Sequence, residues 1–174
     1  MQTHLVLTVI GPDRPGLVSA LSDTIAASGG NWLDSRMASL AGQFAGILLL
    51  HVPAERVAGL HAALAQLEGQ GLRLVVEQSL DEAAAVASAR VLKLELLGQD
   101  RPGIVRDISR VLAEQQVSIS DFHTERTSAS FSGEAMFKAS ALLRLPAGLD
   151  ASVLQNALES LANELMVDLE LQDR

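Results

Sequence analysis

Gly11-Pro12-Asp13-Arg14-Pro15-Gly16-Leu17-Val18 returns later in the chain as Gly98-Gln99-Asp100-Arg101-Pro102-Gly103-Ile104-Val105. The offset is 87 residues. Held without gaps from Gly11 to Asp34, it gives 9 identities in 24 positions, among them Ser22 with Ser109, Ala26 with Ala113 and Asp34 with Asp121. Apolar residues keep the same offset: Leu5, Leu7 and Val9 match Leu92, Leu94 and Leu96, and Leu21 and Ile25 match Ile108 and Leu112. A repeat that holds in both identity and periodicity describes one folding unit present twice.

Outward from the quoted turn, each unit can be read element by element. Upstream, Leu5, Leu7, Val9 and Leu92, Leu94, Leu96 alternate with other residues, the period of a strand with one buried face. Downstream, Leu17, Leu21, Ile25 and Ile104, Ile108, Leu112 recur every fourth residue and build one helical face. Pro15 or Pro102 suits the first helical position, which needs no N–H, and Gly29-Gly30 stops the first helix. Residues 32–40 and 44–52 read as strands around the loop Ala41-Gly42-Gln43. Residues 117–126 and 134–145 repeat them around a longer Ser-rich loop, 127–133. A second helix carries Val57, Leu60, Leu64 and Leu67, matched by Leu154, Leu158, Leu161 and Leu165, and residues 72–79 and 167–171 close each unit. The order βαββαβ, met twice, predicts an α+β fold of two ferredoxin-like domains in tandem. Each is a four-stranded antiparallel sheet with its helices on one face. The expected bounds are 1–79 and 91–174, with the Ala-rich residues 80–90 as a linker.

Composition narrows the function. Of 174 residues 48% are apolar, enough to bury a core in each domain, and Lys plus Arg total 13 against 21 Asp plus Glu, a formal charge of −8. That sign disfavours a surface that collects phosphates, and 3% aromatic residues with no Tyr leave few platforms for stacking bases, so no direct nucleic-acid binding is expected. The absence of cysteine removes disulfides, thiolate nucleophiles and sulfur-held metals. No basic leader or long apolar run suggests a signal peptide or membrane span, so a soluble cytoplasmic protein is expected.

The two copies differ in their third strand. Phe137, Ala139, Ala141 and Leu143 alternate with Lys138, Ser140 and Arg144, which suits a sheet with one wet face. Ile47-Leu48-Leu49-Leu50 is apolar on both faces, and a cover from another domain or another chain is expected over it.

The repeated Asp-Arg-Pro-Gly turn is the strongest functional signal. Its glycine lets backbone approach a ligand, and the helix behind it offers N–H groups and a positive dipole end to a carboxylate. The competing reading is a helix entry in which Asp13 and Asp100 cap and proline starts the helix. Capping alone would accept Ser, Thr or Asn, so retention of all four residues in both copies counts for function. Asn31, with Asp34, opens the second strand, where a side-chain oxygen could accept from a ligand ammonium or satisfy its own turn. The second copy has Ser118 there and keeps Asp121. His4, His51, His61 and His123 show no metal-ligand spacing, and no activated-nucleophile or nucleotide-binding motif accompanies the serines or glycines. No catalytic residue, metal or cofactor is expected.

A strand followed by Gly-x-Asp-Arg-Pro-Gly-Leu/Ile-Val inside a βαββαβ unit resembles the ACT domain family, and the resemblance covers nearly the whole chain. It implies a ligand site at Asp13, Arg14, Pro15, Gly16 and Leu17 with Asn31, and at Asp100, Arg101, Pro102, Gly103 and Ile104 with Ser118 in the second copy. Within that family, two copies with no appended catalytic or DNA-binding domain resemble repressors of glycine cleavage genes. That implies a non-enzymatic regulator which senses glycine or another small amino acid and contacts a DNA-binding transcription activator, as a possible homo-oligomer. Two alternatives stand beside it. One is an assembly module that binds no ligand. The other is a small acylphosphatase-type hydrolase, in which Arg14 and Asn31 would surround a phosphate.

Overall fold

The computed structural model describes residues 1–79, 90–130 and 132–173. The chain divides into two compact units, Met1–Asp81 and Glu82–Arg174. The Ala-rich stretch expected as a linker lies, apart from Arg90, outside the described residues.

The first unit runs β1 (Gln2–Pro12), α1 (Leu17–Ala27), β2 (Asn31–Leu40), β3 (Gln43–Pro53), a 3-10 turn (Ala54–Arg56), α2 (Val57–Glu68) and β4 (Arg73–Gln78). The second runs β5 (Val91–Gln99), α3 (Ile104–Glu114), β6 (Ser118–Ser128), β7 (Ala135–Arg144), α4 (Ala151–Leu165) and β8 (Val167–Asp173). The sheets have orders β2-β3-β1-β4 and β6-β7-β5-β8, with the observed pairings antiparallel. Two ferredoxin-like α+β domains therefore stand in tandem, as the periodicities predict.

Each core forms where the strand period meets the helix period. Leu5, Leu7 and Val9 of β1 and Leu48, Leu50 and Val52 of β3 face Leu17, Leu21 and Ile25 of α1 and Leu60, Leu64 and Leu67 of α2. Leu92, Leu94, Leu96, Ala139, Ala141 and Leu143 face Ile104, Ile108 and Leu112 of α3 and Leu154 and Leu158 of α4. A fully buried leucine contributes about 1.5–3 kcal/mol, so these rows hold the helices to the sheets.

Turn chemistry sets the ends of the elements. The β2–β3 hairpin turns on Ala41 and Gly42, with φ 50° and 79°, the two positive values of a two-residue type I′ turn, so Gln43 belongs to β3 rather than to the loop. Helix α1 ends with Gly29 at φ 72°, Gly30 N–H donating to Ile25 O at 2.9 Å and Gly29 N–H to Ala26 O at 2.9 Å. Helix α3 ends in the same pattern, but Gln116 takes the left-handed position at φ 56°. Positions 29 and 116 are equivalent in the repeat.

Candidate functional site

Both copies of the Asp-Arg-Pro-Gly turn adopt one geometry. Gly16 has φ 88° and Gly103 φ 95°, and each stands immediately before its helix. Pro15 and Pro102 consequently lie in the turn, two residues ahead of Leu17 and Ile104, and not at the first helical position. The glycine carbonyl opens the ladder instead, accepting from Ala20 N–H at 2.9 Å and from Asp107 N–H at 2.9 Å. Neither helix has a side-chain cap. The N–H groups of its first turn are therefore left for solvent or an anion.

The aspartates, weighed above as caps, are engaged elsewhere. Asp13 N–H donates to Gly42 O at 2.9 Å, and its Oδ2 accepts from Ser39 Oγ at 2.5 Å. Asp100 N–H donates to Ala135 O at 2.8 Å, and its Oδ2 pairs with Arg126 Nε at 2.7 Å. Ser39 and Arg126 are themselves 87 residues apart, so one tie between turn and hairpin is built twice with different side chains. It accounts for the retained aspartate without a ligand.

The other residues of the motif separate into structural and available ones. Leu17 and Ile104 are core residues, 4% and 2% exposed, so only their backbone can meet a ligand. Arg14 is exposed and donates from Nη2 to Gln70 O at 3.1 Å, beside the entry to β4. Gly16 is exposed, and a Cβ built on it would meet nothing within 4 Å; its positive φ, not lack of room, calls for glycine. Gly11 and Gly98, which open the motif, are the tight positions. A Cβ there would come 2.9 Å from Gly71 O, just ahead of β4, and 2.8 Å from Val167 Cβ at the start of β8. Periodicity gave no sign of that crowding, although glycine at both positions of the repeat was a usable signal.

Asn31 does not join the turn of its own unit. It pairs with His51, which in turn pairs with His4, whereas the turn leaves β1 at Pro12, opposite Gln43. Eight residues of β3 separate the two ends, about 27 Å at the rise of a strand. Since β1 and β2 both run antiparallel to β3, they are parallel to each other and start at the same end of the sheet. Ser118, opposite Arg144, is likewise at the far end from Asp100. The acylphosphatase-like pairing of Arg14 with Asn31 is thus not formed within the unit.

The open sheet faces differ in character. On the first, Ile47 is 50% and Val75 55% exposed, beside half-buried Val6, Ile10 and Leu49, while Leu48 and Leu50 point into the core. On the second, Glu95, Lys138, Asp168 and Glu170 line a depression of about 450 Å³, with Lys93 paired to Glu95 at 2.8 Å and Lys138 to Glu125 at 3.5 Å. This is the wet face expected from the alternation in β7. Among the described residues no group of three or more acidic, histidine or cysteine side chains could hold a metal ion, and no helix is long and apolar enough to cross a membrane.

Comparison with known proteins agrees with the geometry. Residues 3–77 and 90–172 each match the ACT domain. The chain is 24% identical over 167 residues to the glycine cleavage system transcriptional repressor of Escherichia coli (strain K12), covering 94% of this chain and 86% of the repressor; that of Shigella flexneri matches equally. The crystal structure of an unknown protein from Galdieria sulphuraria is similar over 100% of this chain and 99% of its own, with a TM-score of 0.85 and 28% identity. With two matched segments that span most of its length, each carrying the same turn near its start, the chain belongs to the ACT domain family.

Proposed function

We propose that this chain is a regulatory protein, not an enzyme, which senses a small amino acid such as glycine and represses glycine cleavage genes by contacting a DNA-binding activator. The observation that carries the reading is the match along nearly the full chain to repressors of the glycine cleavage system, with two ACT domains accounting for that length. The formal charge of −8 supports an indirect mode of action, since a protein of that sign gains little from phosphate contacts.

The first-unit turn is the proposed ligand site. An amino-acid carboxylate would dock on the uncapped N-terminus of α1, in the open space beside Gly16, with Arg14 at its edge. Asp100, Arg101, Pro102, Gly103 and Ile104 offer the second unit an equivalent backbone. Asn31 can face the ligand's ammonium only from a second copy of the chain, given its distance from the turn of its own unit. Ligand binding and self-association would then be one equilibrium. A ligand shifts that equilibrium only by its difference in affinity for the two states.

Titration calorimetry of the protein against a panel of amino acids tests the sensing step, with saturable binding of a small amino acid expected. Absence of binding by every member would leave the ligand-free assembly module as the better reading. For the regulatory step, the chain alone should leave a glycine cleavage promoter fragment unshifted in a gel and should retard the complex of that fragment with its activator. Retardation of the naked fragment would refute the indirect mode.

A further inference from the structure

The internal repeat permits a comparison of the two turns position by position. Around the second turn lie Arg101, Arg106, Arg110 and Arg126; the 87-residue offset places Arg14, Ser19, Asp23 and Ser39 at the same positions of the first unit. The second unit thus carries three more arginines than the first at one place, in a chain whose net charge is −8. With Asp100 and Asp107 the cluster carries a formal +2.

The cluster lies at the turn and is open to solvent. Arg106 lies across the turn, its Nη2 3.0 Å from where a Cβ on Gly103 would stand, and its Nε bonds Asp107 Oδ1 at 2.9 Å. The Arg106 hydrogen bond, with the charges of Arg106, Arg110 and Arg101 behind it, holds the Asp107 carboxyl below the usual carboxylate range. Arg106 thus pairs with a carboxylate that is only 22% exposed, and Arg101 and Arg110 add their charge to its surroundings. Arg126 extends the row beyond Asp100. Arg106 and Arg126 are 70% and 71% exposed, and among the described residues Arg101 and Arg110 make no ion pair or side-chain hydrogen bond. Arg106 and Arg110 are one helical turn apart on the outer side of α3, away from buried Ile108 and Leu112.

We propose that this arginine row is the docking surface for a short acidic segment of a protein partner. The proposal rests on the reading of the chain as a regulator that works by protein contact, and it adds where the contact is made. A row of exposed planar forks fits successive carboxylates bidentately. A nucleic-acid duplex fits less well. Its long run of phosphates would meet a chain whose net charge is −8, with few arginines to neutralise it.

Fluorescence anisotropy of a dye-labelled peptide with three central glutamates, titrated with the full chain at low ionic strength, tests the proposal. Saturable binding that weakens with added salt is expected. The Arg106→Glu/Arg110→Glu variant should lose about tenfold or more in affinity, as attraction becomes repulsion at two positions. The Arg106→Lys/Arg110→Lys variant retains charge without the forks and should lose less, which guards against a folding artefact in the reversal. Arg36→Glu/Arg56→Glu, in the first unit, should bind as the parent does. No peptide binding, equal binding by the charge-reversed variant, or tighter binding of a short DNA duplex would overturn the proposal. So would complete displacement of the peptide by millimolar inorganic phosphate, which would make the row a small-anion site. Calorimetry with amino acids on the same charge-reversed variant separates the two readings. Its unchanged amino-acid binding without peptide binding by the parent would sink the docking surface and leave the sensor intact.

Discussion

Replacing Gly16 divides the structural role of the turn from its proposed role in binding. An L-residue at φ 88° pays about 1–2 kcal/mol for the left-handed conformation, and alanine returns about 0.4–1 kcal/mol by narrowing the unfolded ensemble. No clash adds to this, because a Cβ there meets nothing within 4 Å. Gly16→Ala should therefore destabilise by about 1 kcal/mol net, or about 4–8 °C in melting temperature for a domain of this size. Asn tolerates the left-handed region better than alanine, so Gly16→Asn should cost less while placing a longer side chain over the uncapped end of α1. Urea denaturation followed by circular dichroism, with an unchanged m-value, gives the first number; calorimetry with the amino acid bound by the parent gives the second. The Asn variant should stay folded and lose binding. An unaltered midpoint for Gly16→Ala would refute the strain argument, and full binding by a folded Gly16→Asn protein would remove the ligand from this turn.

Further outcomes follow from the same geometry. Gln116→Gly should stabilise the second unit by about 0.5–1 kcal/mol, since the equivalent Gly29 already relieves the same left-handed strain; a lower denaturation midpoint would contradict this. Gly98→Ala should destabilise by about 1–3 kcal/mol, because its methyl must displace Val167 on the edge strand; a neutral result in urea melts would show that β8 yields freely. Leu48→Ala should cost about 2–5 kcal/mol, whereas Ile47→Asp on the open face should leave the melt nearly unchanged yet reduce self-association measured by sedimentation. The Asp107, Asp150 and Asp173 carboxyls are held below the usual range by Arg106, the Ser152 amide and Arg90 in turn. Each contributes stability that is fully present above the unfolded value near 3.8 and is lost as pH falls through the lower folded value. The melting temperature should thus hold from neutral pH to about 5 and drop below about 4, and a drop already complete at pH 5 would disagree.

The core and the order of elements were legible in the sequence because both are matters of period. Leu5, Leu7 and Val9 in one rhythm and Leu17, Leu21 and Ile25 in another need only local geometry to be assigned. The partner of Asp13 was not legible. Ser39 reaches it only because the Ala41-Gly42 turn fixes the register of β2 against β3, a relation between positions 26 residues apart. Asn31 stands apart from the turn of its own unit for a different reason: it adjoins the end of α1, where Gly30 closes on Ile25, and the parallel course of β1 and β2 puts that end far from Gly16. The strand order carried this information, and the linear motif did not. The exposure of Ile47 beside buried Leu48 follows from the pleat alone.

The tie between Asp13 and the β2–β3 hairpin makes the turn a mechanical input. Asp13 grips the hairpin twice, by its amide at the tip and by its carboxylate on Ser39 of β2, so it cannot be displaced alone without breaking both bonds. Anything that draws Asp13 toward a new partner must either drag the tip along or release it, and with it β2, an edge strand of its four-stranded sheet. In the second unit the grip on the side chain is ionic, through Arg126, and added salt should loosen it where the first holds firm. The duplicated domain thus contains two copies of one lever, and ionic strength acts on only one of them.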